Sequence, residues 1–97
     1  MSEVFRKKLA YSESSRHYIR ILKDYRDKFP LPHKPFFVVV NGPRFEVVLD
    51  SSYRVWAAMF WNKLPRFRGG DIIIFSKNED GSYNVTVEKG KMDFYRS

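Results

Sequence analysis

Two runs of β-branched and aromatic residues on either side of an Asn-Gly pair form the clearest pattern in the chain. The runs cover residues 36–40 and 45–49, and Asn-Gly between such runs is the strongest short-range signal for a β-hairpin. Because Pro43 has no N–H to donate to a β-ladder, the pattern predicts a four-residue loop over residues 41–44. The uninterrupted apolar first run predicts a strand covered on both faces. We expect this hairpin to be the centre of a β core.

Strict alternation of apolar and polar positions marks a second strand, over residues 16–21. His17, Ile19 and Ile21 share one face, which we expect to be buried. The opposite face carries two arginines flanking a tyrosine: Arg16, Tyr18 and Arg20. Less regular patterns predict strands at 5–9, 53–56, 72–76 and 83–88, and a last short strand or a frayed end at 89–97.

Two segments change to helical spacing. Apolar positions at i, i+3 and i+7 in residues 22–29 predict a two-turn amphipathic helix, which Pro30 ends. A second helix is predicted from about Ala57 to the residue before Pro65. Residues 10–15 are polar and rich in serine, which predicts a loop.

The order of these elements predicts the fold class. A chain of 97 residues has the length of a single domain, and we expect one domain over residues 1–97. Short strands with turns between them and two short helices predict a mainly β protein. We expect a small open antiparallel pseudobarrel of about six or seven strands, in which curling of the sheet protects its edges.

Composition supports a folded chain and narrows its chemistry. Hydrophobic residues make up 43% of the chain and aromatic residues 18%, which is enough for a core. The absence of cysteine excludes disulfides and thiolate catalysis. No apolar run approaches the ~20 residues that cross a bilayer, and residues 1–6 lack the apolar region of a secretory signal. We therefore expect no membrane association and an intracellular location: the nucleus in a eukaryote, or the cytoplasm or nucleoid in a prokaryote or virus.

The positive charge is concentrated in one part of the chain. The net charge is +7. Residues 1–68 contain 14 Lys or Arg and 6 Asp or Glu, a balance of +8, whereas residues 69–97 contain 4 and 5, a balance of −1. An excess of this kind predicts a basic face and an anionic partner, of which nucleic acid is the first candidate.

Candidate catalytic groups are few. The two histidines, His17 and His33, have no partner at metal-ligand spacing, and the chain has no Gly-x-Ser-x-Gly nucleophile elbow. Neighbouring carboxylates in residues 24–27 and 79–80 fit a solvated helix and a turn. The glycines at 69–70 precede a strand rather than a helix, against the phosphate-loop pattern. We expect no enzyme activity, cofactor, metal or small-molecule substrate.

Basic residues interleaved with serine predict where DNA would bind. They form three segments: residues 12–16 with Arg20 and Lys23; Arg44 with residues 51–54; and Lys63 with Arg66 and Arg68. Serine hydroxyls and guanidinium groups suit phosphate oxygens, and arginine can bind guanine O6 and N7 together. Most aromatic residues fall on core-facing positions, with Tyr11, Tyr18 and Tyr53 as the exceptions. Few exposed rings favour duplex over stacked single-stranded bases.

The predicted elements contain several short motifs. They are Leu9-x-x-Ser12, Tyr18-Ile19-Arg20-Ile21-Leu22-Lys23, Phe29-Pro30, Gly42-x-x-Phe45, Trp61, Leu64 and Gly70-Asp71-x-x-x-Phe75. Their order resembles the plant B-three DNA-binding domain, and the likeness covers roughly residues 5–87. It implies a seven-stranded open pseudobarrel with two short helices, a fold shared with DNA-recognition domains of certain restriction enzymes. Leu22 stands where the family has proline, and Phe60-Trp61 where it has Gly-Trp, so the chain resembles a divergent member.

The resemblance implies two arms that grip the major groove of DNA. The first arm is the loop between the first two strands, and the second is the connection after the fourth strand. Carried onto this sequence, the first arm and its adjoining strand supply Ser12, Ser14, Ser15, Arg16, Arg20 and Lys23. The second arm supplies Ser51, Ser52, Tyr53 and Arg54. Arg44, beside the central hairpin, is a further DNA-binding candidate on charge and position.

These observations together predict a non-enzymatic protein that binds double-stranded DNA, in the manner of a transcription regulator, as a monomer or a homodimer. Two alternatives remain open. Residues 19–29 also resemble the strand-then-helix start of AbrB-type swapped-hairpin regulators, which would make the protein a dimeric DNA-binding regulator. The basic face could instead meet an acidic protein, which would make the chain a protein-interaction module.

Overall fold

A computed structural model describes residues 2–64 and 70–88 of the chain. Seven strands lie in these residues: β1 (Ser2–Lys8), β2 (Tyr18–Arg20), β3 (Phe36–Val39), β4 (Arg44–Val47), β5 (Arg54–Trp56), β6 (Ile72–Lys77) and β7 (Tyr83–Glu88). One α-helix, α1 (Tyr11–Arg16), separates β1 from β2. Two 3₁₀ helices, Lys23–Lys28 and Trp61–Lys63, complete the described elements. The predicted fold class is confirmed: the protein is a mainly β fold with short helices.

The strands form two sheets that do not close into a barrel. Five strands pair in the order β1-β6-β7-β3-β4, and β2 pairs with β5 in a separate two-stranded ribbon. A single bridge between Leu49 and Val55 links the continuation of β4 to the ribbon. Every strand pair is antiparallel except β3 with β7, which is parallel. In this pair, β7 of the β6–β7 hairpin lies along the edge of β3 that β4 leaves open.

The core lies between the five-stranded sheet and the ribbon. Its largest fully buried side chains include Phe5, Phe60 and Phe75. Phe29, which follows the first 3₁₀ helix, stacks on Tyr83 with ring centroids 5.0 Å apart. The hydroxyl of Tyr83 donates to the Lys28 carbonyl at 2.7 Å, and burial raises the pKa of this phenol. These contacts fix the connector that leads from the ribbon to β3.

The central hairpin forms as predicted, with small differences. β3 and β4 pair from Phe36 opposite Val47 to Val39 opposite Arg44. Four residues, 40–43, separate the strands, one position earlier than predicted. The prediction that β3 is covered on both faces is wrong, because Phe37 is 42% exposed.

The prediction of a loop over residues 10–15 is also wrong, because Tyr11–Arg16 form α1. Glu13 explains the helix: its carboxylate accepts a hydrogen bond from the Ala10 N–H at 2.9 Å, which satisfies one of the donors left free at a helix start. His17 ends the helix with a left-handed backbone, φ 63°, and its N–H donates to the Glu13 carbonyl. Its side chain is exposed and stacks on Trp61 with centroids 4.8 Å apart. His17 was predicted to face the core, which this left-handed turn prevents.

The first predicted helix is present as a 3₁₀ segment, Lys23–Lys28, whereas of the second, predicted from about Ala57, only Trp61–Lys63 is helical, also as 3₁₀. Backbone bonds of the i, i+3 type, such as Tyr25 N–H to the Leu22 carbonyl at 2.9 Å, define the first. Within the described residues, no helix is long and apolar enough to span a bilayer.

Candidate nucleic-acid interface

The ribbon brings together the two arginines that belong to different predicted arms. β2 and β5 pair so that Arg20 lies opposite Arg54 and Tyr18 lies opposite Trp56. Ile19 and Val55, between them, are fully buried. Because side chains alternate along a strand, both arginines and both aromatic rings lie on the outer face of the ribbon. Directly opposed side chains are about 5 Å apart at Cβ, so the two arginines are neighbours.

A single carboxylate, that of Asp50, organises the second arm. Its Oδ1 accepts hydrogen bonds from the backbone N–H groups of Ser52 at 2.8 Å and Arg54 at 3.0 Å. Its Oδ2 accepts from Arg54 Nε at 3.1 Å and from Trp56 Nε1 at 2.8 Å. Partial burial raises the pKa of Asp50, but these hydrogen bonds outweigh it and hold the pKa below its ordinary value. The carboxylate therefore fixes the turn, one arginine and one indole together.

The guanidinium group of this arginine also lies close to two aromatic rings that contact each other. The Arg54 guanidinium lies 5.1 Å from the centroid of the Trp56 ring and 5.5 Å from that of Tyr18. The two rings are themselves 5.1 Å apart. Held by Asp50 and by both rings, Arg54 loses less conformational entropy on binding a ligand than a free side chain would.

Tyr53 has a structural role in the second arm. Its backbone is left-handed, with φ 61°, and its carbonyl accepts from the Ile21 N–H at 2.8 Å. Its ring packs partly against the core and lies under the Arg26 guanidinium at 4.1 Å. The expectation that this ring faces solvent is therefore wrong.

A second carboxylate, that of Glu13, ties the first arm to the ribbon. It is 2% exposed and lies on α1. Its Oε2 accepts from the backbone N–H of Arg20 at 2.8 Å and from Lys7 Nζ at 2.7 Å. Lys7 Nζ also donates to the Arg20 carbonyl at 3.1 Å. The backbone of Arg20 is thus held on both sides, while its side chain is exposed and, within residues 2–64 and 70–88, forms no ion pair.

The arms lie at opposite ends of the ribbon. α1 precedes β2 at the end where the Ala57 N–H donates to the His17 carbonyl. The turn of the second arm lies at the other end, where Ile21 bonds to Tyr53. A duplex that contacts both arms would therefore extend along the ribbon.

The other predicted site residues divide into those near the ribbon and those away from it. On α1, Ser14 Oγ donates to the Tyr11 carbonyl and Ser15 Oγ to that of Ser12, which leaves their oxygen lone pairs as acceptors. Exposed cations at both ends of the ribbon, Arg16 and Lys23, form no ion pair in the described part of the chain.

Arg44 is not brought to the ribbon. Its guanidinium pairs with Asp80, in the turn between β6 and β7, at 3.0 Å and lies 4.8 Å from the Phe37 ring. Arg66 and Arg68, of the third basic segment, lie outside the described residues.

Sequence reasoning missed three members of this site. Trp56 is 43% exposed. Strict alternation over residues 53–56 would have placed it on the exposed face of the strand, with Val55 on the buried face. Asp50 precedes two serines, a pattern typical of a turn closed by the aspartate side chain. Glu13 gave no comparable signal, because Lys7 and Arg20, which it holds, lie in the strands on either side of its own helix, and the segment had been predicted as a loop. The described residues contain no group of three or more His, Cys, Asp or Glu side chains that could hold a metal.

Comparison with known proteins identifies a shared fold. No protein-family model and no curated protein matches the chain. Among solved structures, the chain is similar to a hypothetical protein of Arabidopsis thaliana, with a TM-score of 0.61 over 95% of this chain and 99% of that chain. The two sequences are 19% identical, so the likeness shows the fold alone.

Proposed function

We propose that this protein binds double-stranded DNA, with the two arms gripping the major groove and its flanking phosphates and the outer face of the ribbon facing the groove between them. The observation that carries the proposal is the pair of facing arginines, Arg20 and Arg54. The backbone N–H of each is held by a carboxylate of its own arm. This arrangement presents two guanidinium groups from a rigid support, as readout of base edges requires.

The dimensions and charge of the ribbon support duplex over other anions. The major groove of B-DNA, about 12 Å wide, admits a two-stranded β-ribbon, and arginine binds guanine O6 and N7 there. The free cations at the ends of the ribbon, Arg16 and Lys23, suit phosphates on either side. The net charge of +7 favours the same partner.

The resemblance to the B-three domain supports the same proposal, since the two arms it implies are the segments that flank the ribbon. A role in transcription regulation belongs to this proposal as well. Arg44, which is paired with Asp80, is assigned a minor part in it.

Alanine substitution with a charge-matched control tests the proposal. Arg20→Ala and Arg54→Ala should each weaken binding to a labelled duplex by about 1–3 kcal/mol, measured by fluorescence anisotropy. Lys77→Ala removes the same charge from the end of β6, in the five-stranded sheet, and should change affinity little. Equal losses of affinity in all three variants would mean that binding depends only on the net charge of the protein. Binding to an acidic protein surface without binding to duplex would favour the interaction-module alternative.

A further inference from the structure

A shallow groove adjoins the ribbon on the side of Trp56. Its volume is about 370 Å³, and its lining includes apolar side chains, among them Val48, Trp56 and Met59, and the polar side chains of His33, Glu46 and Asp50. Trp56 and Asp50 belong both to the groove and to the outer face of the ribbon. Val48 and Met59, at 39% and 55% exposed, leave apolar surface uncovered beside the indole.

The size and composition of the groove fit one planar aromatic ring. Small-molecule sites have volumes of about 300–1,000 Å³ and combine apolar walls with a few polar groups. The indole of Trp56 is fixed by its bond to Asp50 and offers a stacking surface, and stacking on aromatic side chains is how proteins hold unpaired bases.

The polar groups of the groove favour a base over a phosphate. The Asp50 carboxylate is committed to four hydrogen bonds within the protein. The Glu46 carboxylate is exposed and has no ion pair or side-chain hydrogen bond in residues 2–64 and 70–88. A carboxylate repels phosphate but accepts two hydrogen bonds from adjacent N–H groups, and the pairing edge of guanine presents such groups at N1 and N2. Thymine presents one N–H between two carbonyl oxygens, which is a poorer match.

We propose that this groove holds one unpaired nucleobase, guanine in preference to thymine, stacked on Trp56 with its N–H groups donated to Glu46. The protein would then bind duplex containing an unpaired guanine more tightly than the fully paired duplex. This inference rests on the proposed binding of duplex by the ribbon, which supplies the phosphate contacts beside the groove.

Three labelled duplexes of the same flanking sequence test the inference by fluorescence anisotropy: fully paired, with one bulged guanine, and with one bulged thymine. The duplex with a bulged guanine should bind about tenfold more tightly than the paired duplex, and a bulged thymine should increase the affinity by a smaller factor. In Trp61→Phe protein, where Trp56 is the remaining tryptophan, the guanine bulge should quench tryptophan fluorescence more strongly than paired duplex does.

Two variants with matched controls assign the gain to the groove. Trp56→Ala should reduce the ratio of bulged to paired affinity to about one, while Tyr11→Ala, which removes an exposed ring on α1 outside the groove, should leave that ratio unchanged. Glu46→Ala should reduce the increase in affinity that a bulged guanine gives over paired duplex to the increase that a bulged thymine gives. Glu79→Ala removes the same charge from the turn between β6 and β7 and should preserve the guanine preference.

The outcomes separate this inference from the proposed function. Equal affinity for paired and bulged duplexes, or a gain that survives Trp56→Ala, would overturn the inference and leave duplex binding intact. Failure to bind any of the three duplexes would overturn both. Self-association in the absence of DNA that Met59→Lys abolishes, seen by sedimentation, would assign the groove to a second copy of the chain and overturn the inference.

Discussion

At the scale of single residues, two carboxylates attach the arms to the ribbon. Glu13 accepts from the backbone on both sides of the α1–β2 connection and from Lys7. Asp50 accepts from the turn, from Arg54 and from Trp56. Both carboxylates accept their hydrogen bonds from groups within the protein, so under the proposed function their effect on binding would come through the positions of the arginines.

Removing the charge of Glu13 should destabilise the fold strongly. The Lys7 and Glu13 side chains are 12% and 3% exposed, and breaking such a pair leaves a largely buried cation with only the Arg20 carbonyl as a partner. Glu13→Gln should therefore cost about 3 kcal/mol in the free energy of unfolding, measured with urea. Glu3→Gln, which breaks the exposed pair with Arg6, is the control and should have little effect. Similar small losses in both variants would contradict the assignment of Glu13 as an anchor.

Asp50 should give stability a dependence on acid pH. Its pKa is lower in the folded protein than in the unfolded chain, so its contribution is fully present above the unfolded pKa of about 3.9 and is lost as pH falls through the folded value. Asp50→Asn should be less stable than the wild type at neutral pH, and the difference should shrink at acid pH. Urea unfolding as a function of pH measures this, and a difference that stays constant with pH would contradict it.

At the scale of elements, the ribbon is attached to the core by its inner face. Val55 is fully buried, whereas Val48, on the nearby continuation of β4, is 39% exposed. Val55→Ala should cost about 2–3 kcal/mol in the free energy of unfolding, because it removes buried methyl groups and leaves a cavity. Val48→Ala, the control, should stay within about 0.5 kcal/mol of the wild type by the same denaturant measurement. Equal costs would mean that the ribbon is not packed as described.

How far each element could be predicted depended on where its stabilising contacts lie. The hairpin of β3 and β4 was predictable because Asn41 and Gly42 supply the left-handed turn within the hairpin itself. Helix α1 was not, because its key residue, Glu13, is satisfied by Lys7 and by the strand that follows the helix. The 3₁₀ form of the two predicted helices also escaped the sequence pattern, since apolar spacing does not distinguish a short 3₁₀ segment from an α-helix.

The candidate site was predictable as a set of residues but not as an arrangement. Arg20 and Arg54 were both selected from their charge and from their place in the two predicted arms. The pairing that places them opposite each other in the ribbon could not be predicted, because β2 and β5 are distant in sequence and no local signal sets their register. Alternation with Val55 could have placed Trp56 on the outer face, but its position opposite Tyr18 depends on that pairing. Arg44 was selected on charge, but its pairing with Asp80 could not be read from the sequence.

At the scale of the whole molecule, the charge excess belongs to the part of the chain that builds the ribbon and both arms. Residues 1–68 carry +8 and residues 69–97 carry −1. We therefore expect the affinity for an anionic polymer to arise on the ribbon side rather than on strands β6 and β7.

The most direct test of duplex binding by the ribbon is the salt dependence of the affinity for paired DNA, compared between the wild type, Arg16→Ala and Lys77→Ala. If about four phosphates are contacted, the logarithm of the association constant should fall against the logarithm of salt concentration with a slope of about −4. Arg16→Ala, at the end of the ribbon, should make that slope less steep by about one, and Lys77→Ala should leave it unchanged. No binding at low salt, or the same change of slope in both variants, would contradict the account.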